Sequence, residues 1–305
     1  MMGTIMKSRS TAISLAEKCK NILASNWQAQ LHTIEGTVDG SKELHRSKVN
    51  YVMMKGKPYL WIPENDKHNM NVMFDERGSL SVASPYQGTL GKLLKSINKL
   101  PARVAFTGEI VHVTDKKCEE VTKYVKEIIE TEERAVEEST HLVKSLLGGS
   151  TASRSDDLKC LDGGEEYSIY NFNIRNCMFV DVNGCENIVD AKEVRALEAD
   201  PLGFMSSRLI DGINRSEARR KALMVFCLEY KNANVRDAIA MWVDRKGIDV
   251  LGKVPCANNG FEWKEFRFMF DDEASDLQSF CERLILMEDD VLSKLLMRTG
   301  LPSYR

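Results

Sequence analysis

The feature that most constrains this fold is the segment from residue 103 to 113, where apolar side chains recur at every second position. Val104, Phe106, Ile110 and His112 share one face of such a strand, because successive side chains of a strand point to opposite sides. Short strands at regular spacing, separated by turn residues, are typical of a small antiparallel barrel. Six other strand-like runs lie at residues 31–38, 49–54, 58–62, 79–84, 167–174 and 178–182.

A long helix interrupts the strands, and a second block follows them. Apolar residues recur at helical spacing from about residue 115 to 147, and Gly148-Gly149 can end that helix. We expect the strand pattern to resume in two pieces joined through Arg175-Asn176. A second block begins at residue 200 and reads helix, helix, three strands, helix, with a hairpin around Arg245-Lys246-Gly247. The periodicity therefore predicts an α+β fold in two parts, residues 1–199 and 200–305.

The composition limits which cellular compartment and which class of partner we expect. The 305 residues carry a net charge of −3, which argues against nucleic-acid binding. No apolar run approaches the roughly 20 residues that span a bilayer. Eight cysteines without a CxxC pair or a secretory signal predict free thiols in a soluble intracellular protein. Residues 1–14 are mildly basic, as in a transit peptide, but they fit better as a frayed end before a helix at residues 15–25.

Several segments resemble those of HugZ-like haem-degrading and haem-binding proteins. They are 49–52, 62–72, 103–110 and 179–182 in the first block, then Asp200-Pro201-Leu202, Ile213-Asn214 and 244–249 in the second. The resemblance implies an antiparallel FMN-binding split β-barrel, shared with pyridoxamine-phosphate oxidase-like flavoproteins, followed by a small α/β domain of the haem-utilisation type. It also implies a homodimer with its ligand between the subunits. The plant glutamyl-tRNA reductase-binding protein, a plastid regulator of tetrapyrrole synthesis, is distantly similar, which suggests the chloroplast, or the cytoplasm if no transit peptide is present.

This chain departs from the family pattern at its histidines. Where the family usually reads His-Met-Asn and then Asp-His, this sequence has Gly212-Ile213-Asn214 and Ser216-Glu217. No histidine follows His141. We therefore expect a non-catalytic binding or regulatory protein of a tetrapyrrole or flavin-linked pathway, which binds either a small molecule or a protein partner. Two enzyme functions compete with this interpretation, an FMN-dependent oxidoreductase and a haem-degrading enzyme of the HugZ type.

The resemblance also implies a cofactor site for FMN or haem, and a chain that binds neither is the competing hypothesis. A phosphate or propionate needs several positive donors on rigid elements. The cofactor-binding candidates are Arg46, Lys48, Lys67, His68 and Arg103. These residues also fit as ordinary charges at strand ends, and the acids Glu64 and Asp66 beside Lys67 repel an anion.

Three further groups of residues are candidates for a role. A haem iron takes an imidazole ligand, for which His68 and His112 are the candidates. Arg215, Arg219 and Arg220 predict an anionic ligand or partner, or else a solvated helix face in which Glu217 pairs with Lys221. Asp244 and Asp249 are interpreted as turn-capping residues rather than as a metal or acid–base pair.

Overall fold

The computed structural model describes residues 13–36, 42–86, 88–147, 166–257 and 260–299. Its first block is a closed antiparallel barrel. The sheet order is β3-β2-β1-β4-β5-β6-β7, and an additional pairing of β3 with β6 closes six of these strands into a ring. The predicted α+β fold with a barrel is confirmed. The strands are β1 (Gln28–Gly36), β2 (Lys42–Met54), β3 (Lys57–Pro63), β4 (Arg77–Ala83), β5 (Arg103–His112), β6 (Tyr167–Val180) and β7 (Glu186–Val189).

The interior of the barrel follows the alternation of β5. Val104, Phe106 and Ile110 are fully buried, as the sequence predicts, whereas His112 is exposed because β5 ends there. The prediction of two strands joined at Arg175-Asn176 is wrong, since β6 runs through these residues without a break. A register shift opposite Thr107 and Gly108 accommodates Arg175 as an extra residue.

The described residues form nine α-helices. The predicted helix over 115–147 is two helices, because α4 ends at Glu137 and α5 starts at His141. The Ser139 hydroxyl donates to the Ala135 carbonyl, and Lys144 N–H donates to the Thr140 carbonyl, so the chain turns between them. The helices are α1 (Leu15–Ala24), α2 (Lys67–Phe74), α3 (Gly88–Ser96), α4 (Asp115–Glu137), α5 (His141–Leu147), α6 (Ala191–Ala196), α7 (Ser206–Arg215), α8 (Glu217–Lys231) and α9 (Leu277–Thr299).

The second block has the predicted order of elements. Its sheet is β10-β9-β8, formed by β8 (Ala238–Asp244), β9 (Gly247–Pro255) and β10 (Phe261–Met269). Asp244 caps the β8–β9 turn through its Oδ1, which accepts the Lys246 N–H at 2.8 Å. Arg267 on β10 donates to both oxygens of Asp244, at 2.7 and 2.8 Å, and to Asp249 at 3.2 Å. The turn-capping role predicted for both aspartates fits Asp244, whereas Asp249 lies within β9 and pairs with Arg267.

Polar contacts of α1 connect the first block to the second. The side chain of Asn21 accepts the Asp200 N–H at 3.1 Å, and Asp200 is buried. Arg245 in the β8–β9 turn donates to Glu17 of α1 at 2.6 Å and to Asp200 at 3.4 Å. Buried apolar side chains of both blocks form one continuous cluster. The division of the chain at residue 200 stays a prediction.

Several sequence-based predictions lie partly or wholly outside the described residues. They concern the first twelve residues, the end of the strand-like run 31–38 and the helix stop at Gly148-Gly149. The predicted helix near residue 15 is present as α1, and Ser14 caps it through the Glu17 N–H. The seven cysteines that the structure describes are free thiols. No helix among the described residues is both long enough and apolar enough to cross a membrane.

Candidate functional site

The predicted phosphate-binding cations are spread over the barrel surface. Arg46 and Lys48 are exposed on the same face of β2. Strand register leads from Lys48 through Gln30 and Ser81 to Ala105, two residues after Arg103. Arg103 is therefore three strand spacings of about 4.8 Å from Lys48 across the sheet. Within the described part of one chain, Arg103 does not join Arg46 and Lys48 at a single phosphate.

Lys67 has a carboxylate partner of its own. Its Nζ lies 2.8 Å from Glu35 Oε1, and this contact raises the pKa of Lys67 and lowers that of Glu35. The loop before Lys67 also carries the acids Glu64 and Asp66. A phosphate placed here meets carboxylates rather than free cations, so these residues do not fit the phosphate of FMN within one chain.

His68 is fully buried, and its ring contacts Thr33 and His45. Its Nδ1 lies 2.7 Å from Thr33 Oγ1, and its ring centroid lies 4.5 Å from that of His45. Burial lowers the pKa of His68 to about 4, although Asp66 acts in the opposite direction, so the ring is neutral at pH 7. The Nε2 atom has no hydrogen-bond partner among the described residues. A porphyrin plane needs an open approach to the imidazole, and His68 does not offer one.

His112 is the accessible histidine of the two haem-ligand candidates. It is exposed at the end of β5, where its ring lies edge-on to Tyr170 with 5.2 Å between centroids. The Tyr170 hydroxyl in turn donates to Asn69 Oδ1 of α2 at 2.9 Å. Both predicted haem ligands therefore lie near α2, but only His112 presents an imidazole to solvent.

The position that the family resemblance aligns with a histidine is closed by α5. A Cβ atom on Gly212 of α7 would lie 1.7 Å from the carbonyl oxygen of Leu146, far inside the distance of any real contact. Leu146 and Leu147 are themselves buried. Because the obstacle is backbone, no rotamer change can make room for a side chain here. The glycine is required by the packing of α5 on α7.

Asn214, part of the segment that resembles the family, holds α7 to the second sheet. Its Nδ2 donates to the Ala240 carbonyl at 2.9 Å, and its Oδ1 accepts the Ala240 N–H at 2.8 Å. Both residues are buried. This two-bond contact satisfies the backbone of β8 at a register shift beside residue 240, so its role is structural.

The basic residues at the end of α7 and in the first turns of α8 are matched by acids. Arg215 lies 2.6 Å from Asp211, and Arg220 lies 2.5 Å from Asp237. The predicted Glu217–Lys221 pair is present at 2.7 Å. Arg219 lies 3.7 Å from Glu288. An anion approaching this cluster competes with carboxylates already in place, and the anionic-ligand site stays a prediction.

A groove of about 740 Å³ lies between the barrel and the helices outside it. Its volume is within the range of small-molecule sites, and its lining is mostly apolar. Met53 comes from β2, Tyr124 and Ile128 from α4, and Phe204 from the segment before α7. None of the described residues that line the groove is a histidine or a cysteine.

Lys20 of α1 is the unusual residue of this groove. It is only 7% exposed, and the described residues give it no hydrogen bond or ion pair. Burial lowers its pKa, because desolvation disfavours the charged form. Lys20 is not among the sequence-based candidates. A signal was available, since Lys20 follows Cys19 and precedes Leu23 on the buried face of an amphipathic helix, where a lysine is out of place.

Comparison with solved structures identifies the fold. The haem-binding protein from Mycobacterium smegmatis superposes with a TM-score of 0.57 at 17% identity, covering 93% of this chain and 100% of that one. This chain has the split-barrel fold. Protein Atu2129 from Agrobacterium tumefaciens matches with a TM-score of 0.40 at 16% identity, over 90% of this chain and 95% of its own.

The haem storage protein HutZ from Vibrio cholerae matches with a TM-score of 0.35 at 12% identity, over 53% of this chain and 92% of its own. A general stress protein 26 relative of the pyridoxinephosphate oxidase family, from Clostridium acetobutylicum, has a TM-score of 0.36 at 9% identity, over 59% and 96%. A scan against protein-family models found no match, and a search of curated proteins also found none.

Proposed function

We propose that this chain is a non-catalytic split-barrel protein that binds an apolar, carboxylate-bearing ligand of the tetrapyrrole class in the groove beside Lys20. The observation that carries the proposal is the buried cation itself. Lys20 lines the open groove, and a ligand carboxylate there would replace water as the partner of its ammonium group. Lys55 and Arg195 also line the groove, where Lys55 pairs with Glu120 at 3.0 Å and Arg195 Nε donates to the Ala191 carbonyl at 3.2 Å. The acids Glu127, Glu132, Glu198 and Asp200 share the lining, so Lys20 is the cation on which the proposal rests.

The tetrapyrrole class is favoured by the shape and lining of the groove. Aromatic and aliphatic side chains of Tyr124, Ile128 and Phe204 suit a flat apolar ring. The haem-binding protein of M. smegmatis has the same fold, which is consistent with a ligand of this kind. Because the described lining contains no histidine or cysteine, recognition rests on the ring and its carboxylates rather than on iron.

The absence of catalysis is supported by the closed position at Gly212. An imidazole cannot be placed there while the Leu146 carbonyl occupies the space. Asn214, the next polar residue of that segment, already uses its side-chain amide in two hydrogen bonds with Ala240. The second block thus contributes packing rather than an iron ligand.

Titration of the purified protein with haemin and with iron-free protoporphyrin IX tests this proposal. We expect both to bind with similar affinity, and Lys20→Met to weaken both by about 30-fold or more, since one partner of a buried charge pair is lost. Lys18→Met is the matched control, because Lys18 lies on α1 but outside the groove lining. Unchanged affinity in Lys20→Met would refute the groove as the ligand-binding site. Formation of an open-chain product from haem and a reductant would refute the absence of catalysis.

The FMN-dependent oxidoreductase is the second candidate function. It rests on Arg46 and Lys48, which share one exposed face of β2 and could meet a phosphate bridging two subunits of a homodimer. Exposed apolar side chains on α2, Met73 at 81% and Phe74 at 84%, support such a dimer. Quenching of FMN fluorescence at micromolar protein, lost in Arg46→Gln, would favour this function. The plant relative, the chloroplast and a protein partner remain predictions.

A further inference from the structure

Two histidines and an aspartate converge at the start of α2, and none of the three lines the groove. His45 lies on β2, and Asp66 is the N-cap residue of α2, two positions before His68. One ligand atom from each of the three lies within 4.8 Å of the others. His45 Nε2 and Asp66 Oδ1 are 3.4 Å apart. We propose that His45, Asp66 and His68 bind a Zn²⁺ ion.

The unpartnered nitrogen of His68 is the observation that points to a ligand. The side chain is fully buried, and Nε2 has no partner among the described residues. If Nδ1–H donates to Thr33 Oγ1, the lone pair of Nε2 is free, and an under-satisfied buried acceptor is more common than an orphaned N–H. A metal ion uses that lone pair and removes the cost of leaving it unmade.

The surroundings of the three side chains match those of known metal ligands. A ligating histidine usually donates its other ring N–H to an oxygen, which fixes the tautomer. Thr33 Oγ1 is the oxygen in this position beside Nδ1 of His68, and Asn71 Nδ2 donates to the same oxygen at 2.9 Å. Ser47 Oγ donates to Asp66 Oδ2 at 3.2 Å, and the His68 N–H donates at 2.9 Å to Oδ1, the oxygen that faces His45. These contacts orient the His68 ring and the Asp66 carboxylate before any ion binds.

The donor set selects the kind of ion. Two imidazoles and one carboxylate suit Zn²⁺ and its first-row neighbours, whereas Mg²⁺ and Ca²⁺ take mainly oxygen ligands. Three protein ligands leave the fourth tetrahedral position for water or a small anion. Ligand atoms up to 4.8 Å apart need to draw together by about 1 Å or more for Zn–N and Zn–O bonds of about 2 Å.

Solvent reaches the site from one side. The side chains of His45 and Asp66 are 23% and 18% exposed. A pocket of about 730 Å³ is bordered by Asp66 and Asn71 and opens along α2. Of the three ligands only Asp66 borders this pocket, so an ion enters past the part-exposed side chains of Asp66 and His45 without unfolding of the barrel.

Competition titration of untagged, chelator-treated protein against a chromophoric zinc chelator tests the site. We expect one Zn²⁺ per chain, and Co²⁺ in its place should show the intense visible absorption of a tetrahedral site. His45→Gln and Asp66→Asn should each weaken Zn²⁺ binding by about 100-fold, since even outer partners of ligands contribute 10–100-fold. Thr33→Val should weaken it by about 10-fold, because Thr33 only orients His68.

Controls separate loss of the site from loss of the fold. His141→Asn removes an exposed histidine at the start of α5 and should leave Zn²⁺ affinity unchanged. Asp66→Asn keeps a side-chain oxygen for the helix N-cap, and far-UV circular dichroism checks that each variant is folded. Equal Zn²⁺ affinity in folded wild type, His45→Gln and Asp66→Asn would overturn the proposal. It would leave His45 and Asp66 as an ion pair.

Discussion

Replacing Gly212 with alanine should destabilise this protein, although the same change stabilises most helices. In an exposed helix, glycine to alanine adds about 1 kcal/mol of stability. Here the new Cβ would lie 1.7 Å from the Leu146 carbonyl oxygen, where ordinary contacts begin near 3.4 Å. Either α5 or α7 must move by roughly 1.7 Å, which overpacks the core at a cost of about 1–3 kcal/mol.

The movement also uncovers buried side chains. Leu146 and Leu147 are 1% and 3% exposed, and burying one leucine is worth about 1.5–3 kcal/mol. Partial loss of these contacts brings the expected net decrease in the free energy of unfolding to about 3 kcal/mol, after the gain in helix propensity is subtracted.

Urea denaturation followed by circular dichroism measures this effect, with the midpoint shift converted at a constant slope. Gly36→Ala is the matched control, since a Cβ there meets nothing within 4 Å, and its midpoint should stay within about 0.5 kcal/mol of wild type. If Gly212→Ala were as stable as wild type, α5 would not close this position, and a family histidine there would no longer be excluded by packing.

Three further predictions concern stability. Asn214→Ala leaves the buried N–H and carbonyl of Ala240 unpaired and should cost about 2 kcal/mol or more in urea denaturation. Arg267→Met leaves the fully buried Asp244 carboxylate without its ion-pair partner and should lower the free energy of unfolding by about 3–5 kcal/mol. The same change at the exposed Arg175 should lower it little. The pKa of Lys20 is lowered in the folded state, so between that pKa and 10.5 the unfolded state binds more protons than the folded state. The free energy of unfolding should therefore rise with pH over this range, and the rise should be smaller in Lys20→Met.

Much of the barrel could be predicted because most strands are buried on one side. Their period of two is visible in β5, where Val104, Phe106 and Ile110 are buried. The continuity of β6 could not be predicted in this way. Its extra residue, Arg175, is accommodated by a register shift against Gly108, which depends on the neighbouring strand rather than on local sequence.

Helix α2 could not be predicted from the sequence, for a different reason. Met70 and Met73 are 59% and 81% exposed, so the apolar residues of this short helix do not mark a buried stripe. The helix is instead defined by its N-cap, where Asp66 accepts the His68 N–H at 2.9 Å.

The candidate sites were only partly visible in the sequence. His68 is singled out there, but as a cofactor residue, and His45 is not, because 23 positions separate them along the chain. Strand register places His45 opposite Thr33, and Thr33 contacts His68, so their proximity is a tertiary property. Lys20 was detectable in principle, as a lysine on the buried face of α1, but the groove around it is built from residues distant in sequence.

The helices inserted between β5 and β6 link the two properties assigned to this protein. Tyr124 and Ile128 of α4 form one wall of the groove, and the end of α5 occupies the space beside Gly212. One insertion therefore forms a wall of the groove and leaves no space for an imidazole at position 212. A histidine at position 212 should accordingly be tolerated only when α5 is removed, and that removal should also weaken ligand binding if α5 is needed to hold α4 in place. Introducing a histidine at position 212 without loss of stability or of the groove would show that the two properties are independent.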